Sequence, residues 1–277
     1  MAAKQTTTKL QLFNEDCIAG MKKRLRARSI DVVVTSPPYN LGIKYKSYND
    51  KVPRSDYLAW LHEWGKDVKR VLKDDGSLFL NIGSKPSDPL VPFQVLETMQ
   101  RDDLFILQNV IHWVKSIYID QDPYSGQKDI NVGHYKPINS RRFLNDAHEY
   151  IFHFTKEGDI KLNRRAVGVP YKDASNISRW KSAGANIRCR GNCWFIPYRT
   201  IQNRTKDRPH PASFPPELAV NCIKLHGVIK GMKILDPFMG LGNTGLACHR
   251  LKTTFIGFEI DPYYYKRARQ TLLDGGK

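Results

Sequence analysis

The Ser-Pro-Pro-Tyr sequence at residues 36–39 is the part of the chain best suited to chemistry. Two consecutive prolines fix the backbone and have no N–H to donate, so the turn presents acceptors, namely the Ser36 hydroxyl and carbonyls such as that of Pro37. The ring of Tyr39 follows directly. A rigid row of acceptors beside an aromatic ring suits an amino group on a planar heterocycle. The alternative is a Pro-Pro turn that only ends a strand.

A second candidate site follows the strand-like residues 233–235, where an Asp-Pro-Phe sequence leads into a glycine loop with G-x-G-x-x-G spacing. Such a loop lets the backbone approach a nucleotide cofactor closely, and a carboxylate about 20 residues later suits ribose hydroxyls. This spacing fits a nicotinamide cofactor equally well. The candidate cofactor-binding residues here are Asp236, Phe238, Gly240, Gly242, Asn243, Thr244 and Glu259.

Both candidate sites come directly after strand-like sequence. The β-branched run at 30–35 predicts a buried strand, and open α/β sheets build their sites at the carboxyl edge of such strands. Only about 35 residues follow the glycine loop, too few to bury a core of their own. Strands from the first half must therefore complete the sheet. We predict that the strands before Ser36 and Asp236 are neighbours, with both loops facing one crevice.

Strand and helix patterns alternate along the first half of the chain. We predict strands at 10–13, 77–82 and 107–113, and helices at 17–28, at 92–100 and from a Ser55 cap to residue 72. Residues 41–54 are typical of a mobile polar loop. The alternation favours an α/β fold with a mostly parallel, Rossmann-like sheet and helices on both faces.

These motifs resemble those of the amino-directed DNA methyltransferases, which transfer a methyl group from S-adenosylmethionine to cytosine N4 or adenine N6. The order, with Thr-Ser-Pro-Pro-Tyr at 35–39 first and Asp-Pro-Phe-x-Gly-x-Gly at 236–242 last, is similar to the permuted β group. The resemblance covers nearly the whole chain. It implies that Asp16, with Cys17 beside it, lies near the cofactor adenine and that the 208–215 segment, with Phe214, lies near the methionine end. Residues 148–154 resemble the strand before the variable DNA-reading region.

The methylation chemistry can be stated from the residues. The amino nitrogen of a base is a poor nucleophile because its lone pair is delocalised into the ring. If Ser36 Oγ and the Pro37 carbonyl accept its two N–H groups while Tyr39 stacks on the base, the lone pair is freed for in-line attack on the methyl group. The target must leave the duplex to reach such a site. A covalent cysteine is unnecessary, and none of the five cysteines follows a proline.

The charge of the chain favours a polyanionic partner. The formal net charge is +17, and residues 156–208 carry 13 Lys or Arg against 4 Asp or Glu. We predict catalytic residues in 1–154, an irregular basic target-recognition insert at 155–207, and the cofactor-binding half at 208–277. Phosphate contacts would supply affinity, and base-edge contacts specificity. The alternative is a solvated basic surface. The candidate DNA contacts are Lys44, Lys46, Arg188, Arg190 and Arg204.

The substrate base and the partners are less fixed. In the family, Ser-Pro-Pro-Tyr is associated mainly with cytosine N4, which we expect here; adenine N6 is the alternative. A nicotinamide-dependent oxidoreductase, a catalytically silent nucleic-acid-binding subunit and an RNA substrate stay open. We expect double-stranded DNA as partner, a cognate restriction endonuclease as a candidate, and a monomer or homodimer.

Cysteine use and hydropathy predict neither a metal site nor a membrane segment. Cys189 and Cys193 lack the second pair that a structural zinc needs, and no apolar run approaches 18 residues. We expect reduced thiols and an intracellular protein. It would be cytoplasmic and nucleoid-associated if bacterial, and nuclear if eukaryotic.

Overall fold

The computed structural model describes residues 8–43, 45, 47–123, 125–133, 139–173, 175–179, 185–197 and 213–275. The strands are β1 (Leu10–Phe13), β2 (Ile30–Thr35), β3 (Leu72–Ile82), β4 (Ile106–Val114), β5 (Ile117–Gln121), β6 (Lys128–Val132), β7 (His148–Thr155), β8 (Cys193–Phe195), β9 (Lys233–Asp236) and β10 (Thr254–Phe258). The helices are α1 (Cys17–Arg24), α2 (Arg54–Val71), α3 (Val91–Gln100), α4 (Ser175–Arg179), α5 (Pro216–His226), α6 (Asn243–Leu251) and α7 (Pro262–Leu273).

Eight of these strands form one sheet in the order β1-β10-β9-β2-β3-β7-β4-β8, and β5 and β6 form a separate hairpin. Neighbours pair in parallel except at β7, which runs antiparallel to both β3 and β4. The predicted mostly parallel sheet is therefore confirmed. The predicted pairing of β2 with β9 is also confirmed, since Val32 lies opposite Ile234 and Val33 opposite Leu235.

Helices cover both faces of the sheet, as the alternation predicts. Helices α1, α2 and α3 pack on one face in a core that contains Trp64 and Val33. Helices α5, α6 and α7 pack on the other face, in a core that contains Val32, Val34 and Leu272. Every residue of β2 is buried, which explains why all its residues except Asp31 are β-branched rather than alternating with polar ones.

Several predicted boundaries are wrong by a few residues. Helix α1 ends at Arg24 instead of residue 28, because Leu25 is extended and Arg28 has a positive φ of 51°. Helix α2 begins at Arg54 after Pro53, so Ser55 does not cap it; its hydroxyl donates to the Asp56 carboxylate. The helix ends at Val71. Strand β3 starts at Leu72 rather than at residue 77, because Leu72 already pairs with Ile30, ahead of an irregularity in the ladder.

The basic insert contributes a strand to the main sheet, which its irregular sequence did not indicate. Strand β8 lies parallel to the edge of β4, with Trp194 opposite Trp113. Both indoles are buried, and Trp194 Nε1 donates to the Gly191 carbonyl. The part of the insert from 198 to 207 lies outside the described residues. None of the helices formed by the described residues is long and apolar enough to cross a membrane.

Candidate active site

The carboxyl ends of β2 and β9 lie side by side and open into one cleft, because parallel neighbours end at the same edge of a sheet. The predicted catalytic turn and the predicted glycine loop both reach this cleft. Its lining includes Glu15, Asp16, Cys17, Ser36, Pro37, Pro38, Tyr45, Ser47, Tyr48, Trp60, Ser213 and Phe214, together with Asp236–Leu241, Asn243, Phe258–Asp261 and Tyr264.

The buried carboxylate of Asp236 joins the two motifs directly. Its Oδ1 accepts hydrogen bonds from the Thr35 hydroxyl at 2.7 Å and from the Phe238 N–H at 3.1 Å, and its Oδ2 accepts from the Thr244 hydroxyl at 2.7 Å. Burial raises the pKa of Asp236 to about 6, although these hydrogen bonds act in the opposite direction. Thr244 does not line the cleft itself and instead holds the carboxylate in place.

The glycine loop has the backbone geometry of a close-approach turn. Gly240 and Gly242 have positive φ values of 52° and 84°, a region that disfavours other residues. Gly242 precedes α6, and a side chain there would also meet Leu272, whose Cδ1 lies 3.0 Å from the Cβ position. Gly240 donates its N–H to Glu259 Oε2 at 2.9 Å. Burial raises the pKa of Glu259 to about 7.

The remaining candidate cofactor residues enter the cleft from other parts of the chain. Asp16 caps α1 by accepting the Ala19 N–H at 2.9 Å, and burial raises the pKa of the adjacent Cys17 thiol well above its ordinary value, so it is not an activated nucleophile. Asn243 Nδ2 donates to the Phe214 carbonyl at 2.7 Å and holds that residue at the cleft.

An aromatic wall backs the glycine loop on its other side. The Phe238 ring packs between Trp60 and Trp64, with centroid distances of 5.7 Å and 5.4 Å. Trp60 also lines the cleft, although no sequence motif marked it as a site residue.

The loop after the Ser-Pro-Pro-Tyr motif is ordered around a buried carboxylate. Asp50 accepts the backbone N–H groups of Asn40, Leu41 and Ile43 at 2.8–3.1 Å. One aspartate therefore satisfies several backbone donors of this loop at once, and the mobility expected for residues 41–54 stays a prediction. The Ser47 hydroxyl then donates to Asp261 Oδ2 at 2.6 Å across the cleft.

On the acceptor side, Tyr39 belongs to a polar network that the sequence did not reveal. Its hydroxyl lies 2.7 Å from Ser36 Oγ and donates to Glu149 Oε2 at 3.0 Å. Asn81 Nδ2 donates to both Tyr39 Oη and Glu149 Oε2 at 2.7 Å, and Lys115 Nζ donates to Glu149 Oε1 at 3.0 Å. The Tyr39 ring is partly buried and is not part of the cleft lining.

The ionisation of Glu149 is held by its neighbours. Burial alone would raise the pKa of Glu149, but the charge of Lys115 and hydrogen bonds from Asn81 and Tyr39 lower it below its ordinary value. A charged carboxylate therefore stands two hydrogen bonds from Ser36.

The candidate DNA contacts are only partly described. Arg188 is exposed, and its backbone forms a bridge to Val169. Arg190 is half-buried and donates from Nε to the Val167 carbonyl at 2.9 Å, so its guanidinium also serves the local fold. Lys44, Lys46 and Arg204 lie outside the described residues.

The structure describes all five cysteines and most of the side chains that could bind a metal. Cys189 and Cys193 are exposed free thiols, and Cys17, Cys222 and Cys248 are buried free thiols. No group of three or more His, Cys, Asp or Glu able to hold a metal occurs among the residues that the structure describes.

Comparisons with known proteins agree with this geometry. A family model described as DNA methylase, for N6 and N4 methylases, matches residues 30–270. The type II methyltransferase M.HpaI of Haemophilus parainfluenzae is 28% identical over 251 residues, covering 90% of this chain and 70% of its own. The DNA adenine methyltransferase YhdJ of Escherichia coli K12 is 26% identical over 263 residues, covering 94% and 82%.

Solved structures show the same fold. The PvuII DNA methyltransferase, described as cytosine-N4-specific, superposes with a TM-score of 0.69 at 21% identity, covering 98% of this chain and 92% of its own. Two further structures of this fold were solved as complexes with S-adenosylmethionine. Because the family model spans most of the chain and its motifs converge on one cleft, this protein belongs to the N6/N4 family of DNA methyltransferases.

Proposed function

We propose that this protein transfers a methyl group from S-adenosylmethionine to the exocyclic N4 amino group of cytosine in DNA. The observation that carries the proposal is the direct link between the acceptor turn and the cofactor loop: Asp236 accepts hydrogen bonds from Thr35, next to Ser36, and from Thr244, in the first turn of α6 directly after the glycine loop. One buried carboxylate therefore sets the spacing between the two halves of the reaction.

The cleft residues fit S-adenosylmethionine by their chemistry. The positive-φ glycines let the backbone come close to a ligand, and Glu259 and Asp16 offer carboxylates to hydroxyl and amino groups. Phe238 and Phe258 provide apolar surface for a purine ring. When bound, the cofactor supplies an electrophilic methyl group, which neither Ser36 nor any other side chain of the cleft could provide.

The acceptor turn would activate the target amine. Ser36 and Pro37 both line the cleft, so the hydroxyl and the Pro37 carbonyl can accept the two N–H groups of an amine that enters it. These fixed acceptors localise the nitrogen lone pair. No strong base is needed, because the methylated nitrogen is acidic and loses its proton to water or a weak acceptor. Stacking by Tyr39 is the remaining predicted role; it requires the base to approach the partly buried ring beside the cleft.

Cytosine is the favoured base on two grounds. The motif is Ser-Pro-Pro-Tyr, the form associated mainly with cytosine N4, and the PvuII enzyme with the same fold is described as cytosine-N4-specific. Adenine N6 is the second candidate, because YhdJ aligns with 94% of this chain and is named a DNA adenine methyltransferase.

DNA contact by the basic insert completes the proposal. The exposed Arg188 lies in a segment rich in Lys and Arg, which can neutralise phosphates. Since M.HpaI is named a type II methyltransferase, a restriction endonuclease of the same specificity is the partner that we propose for this chain.

The test is nucleoside mass spectrometry of unmethylated DNA incubated with the protein and isotopically labelled S-adenosylmethionine. We expect labelled N4-methylcytosine. Labelled N6-methyladenine would move the assignment to the second candidate, and label in RNA but not DNA would change the polymer. Absence of label from every nucleoside, with cofactor binding intact, would indicate a catalytically silent DNA-binding protein.

A further inference from the structure

We propose that Glu149 is a positioning residue for methyl transfer: through Tyr39, its charge fixes which way the Ser36 hydroxyl points and so makes Ser36 an acceptor for the target amine. The inference depends on the amino-methylation assigned above and holds for cytosine or adenine. It concerns a residue that contributes nothing to the cleft lining.

The reversed direction of β7 brings Glu149 to the active-site edge. Because β7 runs antiparallel to β3 and β4, its first residues lie beside the last residues of those strands, with Tyr150 opposite Ile82 and Glu149 opposite Trp113. The Glu149 side chain is 12% exposed and its partner Lys115 15% exposed. A parallel strand in this position would place the same residue at the opposite edge, far from Ser36.

The hydrogens in this network can be counted. Asn81 must present its NH₂ group to the Glu149 carboxylate, because its oxygen would be repelled there, so it cannot accept from Tyr39. Tyr39 therefore gives its one hydrogen to Glu149 Oε2. The contact of 2.7 Å between Tyr39 Oη and Ser36 Oγ then has a single polarity, in which Ser36 donates its only hydrogen to Tyr39.

This polarity has a consequence at the cleft. With its hydrogen committed to Tyr39, Ser36 Oγ meets any group in the cleft with lone pairs alone. An amino group, which brings N–H donors, is then recognised, and a carbonyl at the same place is not. If Glu149 were neutral and donated to Tyr39, the chain of hydrogen bonds could run in reverse and Ser36 would point its hydrogen at the amine. Lys115 keeps Glu149 charged and so keeps the polarity fixed.

Close packing beside Gly83 fixes the positions of the Glu149 and Tyr39 side chains relative to each other. A Cβ at Gly83 would lie 3.0 Å from both Glu149 Cγ and Tyr39 Cε2. That distance is shorter than ordinary van der Waals contact, so the backbone at this position is pressed against the two side chains. Glycine here permits the approach of Tyr39 to Glu149.

The first experiment compares E149Q with the exposed control E97Q in single-turnover methyl transfer at saturating DNA and S-adenosylmethionine. We expect E149Q to slow transfer about 10- to 100-fold, since a charge-assisted hydrogen bond is removed, while its cofactor Kd stays within about twofold. E97Q should match the wild-type chain. Equal rates for E149Q and the wild type would overturn the inference alone. No transfer by the wild-type chain would overturn the proposed function as well.

A double-mutant comparison separates positioning from general damage. Y39F removes the hydroxyl through which Glu149 acts, so E149Q should cost little more in the Y39F background than Y39F alone. If the rate losses of E149Q and Y39F multiply in the double mutant, Glu149 does not act through Tyr39.

K115Q provides a readout that does not require replacing Glu149. Without the lysine charge, burial raises the pKa of Glu149, so the decline of the transfer rate on acidification should begin at a higher pH than in the wild type. An unshifted acid limb in K115Q would overturn the inference.

Discussion

Two carboxylates flank Ser36, the buried Asp236 and the largely buried Glu149, and their surroundings differ in one decisive respect. On the cofactor side, Asp236 is held by neutral donors, the hydroxyls of Thr35 and Thr244, and burial raises its pKa to about 6. On the acceptor side, Glu149 has Lys115 beside it, and its pKa lies below the ordinary value.

The difference shows that burial alone does not decide the state of a carboxylate. The role of Asp236 does not require a charge, because the residue only has to accept the hydrogen bonds that join β2 to the glycine loop. Glu149 has a role only when charged, because a neutral acid could donate to Tyr39 and reverse the hydrogen bonds. Acidification should therefore relieve the folding cost of Asp236, whereas Glu149 contributes stability that is lost as pH falls through its lowered pKa.

The largest effect on the acceptor side is expected from Ser36→Ala. The change removes the hydroxyl of the residue that lies between Asp236 and Glu149. We expect single-turnover methyl transfer to slow about 10²- to 10³-fold, as for loss of an active-site hydrogen-bonding group. DNA and cofactor affinities should stay near wild-type values, and Ser55→Ala, on the exposed surface of α2, serves as control. An unchanged transfer rate would remove Ser36 from the mechanism.

Asp236→Asn tests the cofactor side through stability. Folding raises the pKa of Asp236 from 3.8 to about 6, so wild-type stability falls as pH rises through that interval. The shift corresponds to about 3 kcal/mol that is lost by about pH 7. The free energy of unfolding of Asp236→Asn relative to wild type, measured by urea unfolding, should therefore rise by about that amount between about pH 3 and 7. The exposed Asp159→Asn is the control; parallel profiles for Asp236→Asn and wild type would contradict the assignment.

Tyr39→Ala separates the ring from the hydroxyl network. If the ring stacks on the extruded base, losing it should weaken target capture by roughly 1–3 kcal/mol, with cofactor affinity retained. A fluorescent base analogue at the target position reports the capture, and Tyr39→Phe, which keeps the ring, should capture the base normally while slowing transfer. Loss of cofactor affinity with DNA affinity retained would count against the assignment.

Arg188→Ala and Arg190→Ala are a matched pair within the insert. Arg188 is exposed, so its loss should lower DNA affinity and reduce the slope of log affinity against log salt by about 1. Arg190 donates to the Val167 carbonyl, so its loss should cost about 1 kcal/mol of stability with little change in slope. A salt slope for Arg188→Ala equal to that of the wild type would show that Arg188 contacts no phosphate.

The smallest effect is expected from Ser47→Ala. Its hydroxyl bond to Asp261 closes the loop over the cofactor side of the cleft, so loss should raise the S-adenosylmethionine Kd about two- to fivefold. Stability without cofactor should hardly change, because Asp261 still caps α7 through the Tyr263 N–H. Isothermal titration measures the affinity, and an unchanged Kd would mean that the loop does not retain the cofactor.

The parts of this site that sequence could predict are local. The β-branched residues before Ser36 and the glycine spacing after Asp236 identify a strand and a turn from adjacent residues. Glu149 could not be found in this way. Its role depends on the reversal of β7 and on Tyr39, 110 residues earlier. Asp50 organises its loop through backbone N–H groups, which no side-chain pattern records.

The edge strand within the basic insert has a consequence for chimaeras that exchange this segment, which we propose to contact DNA. Because β8 pairs with β4 and buries Trp194 against the body of the enzyme, the insert cannot be treated as a detachable module. A chimaera that receives another protein's segment in place of residues 155–207 must also receive a strand that fits beside β4 and a buried side chain of indole size. Otherwise it exposes a sheet edge and the Trp113 ring. Transplants whose junctions leave strand β8 (residues 193–195) uninterrupted should therefore aggregate less than those whose junctions fall within it.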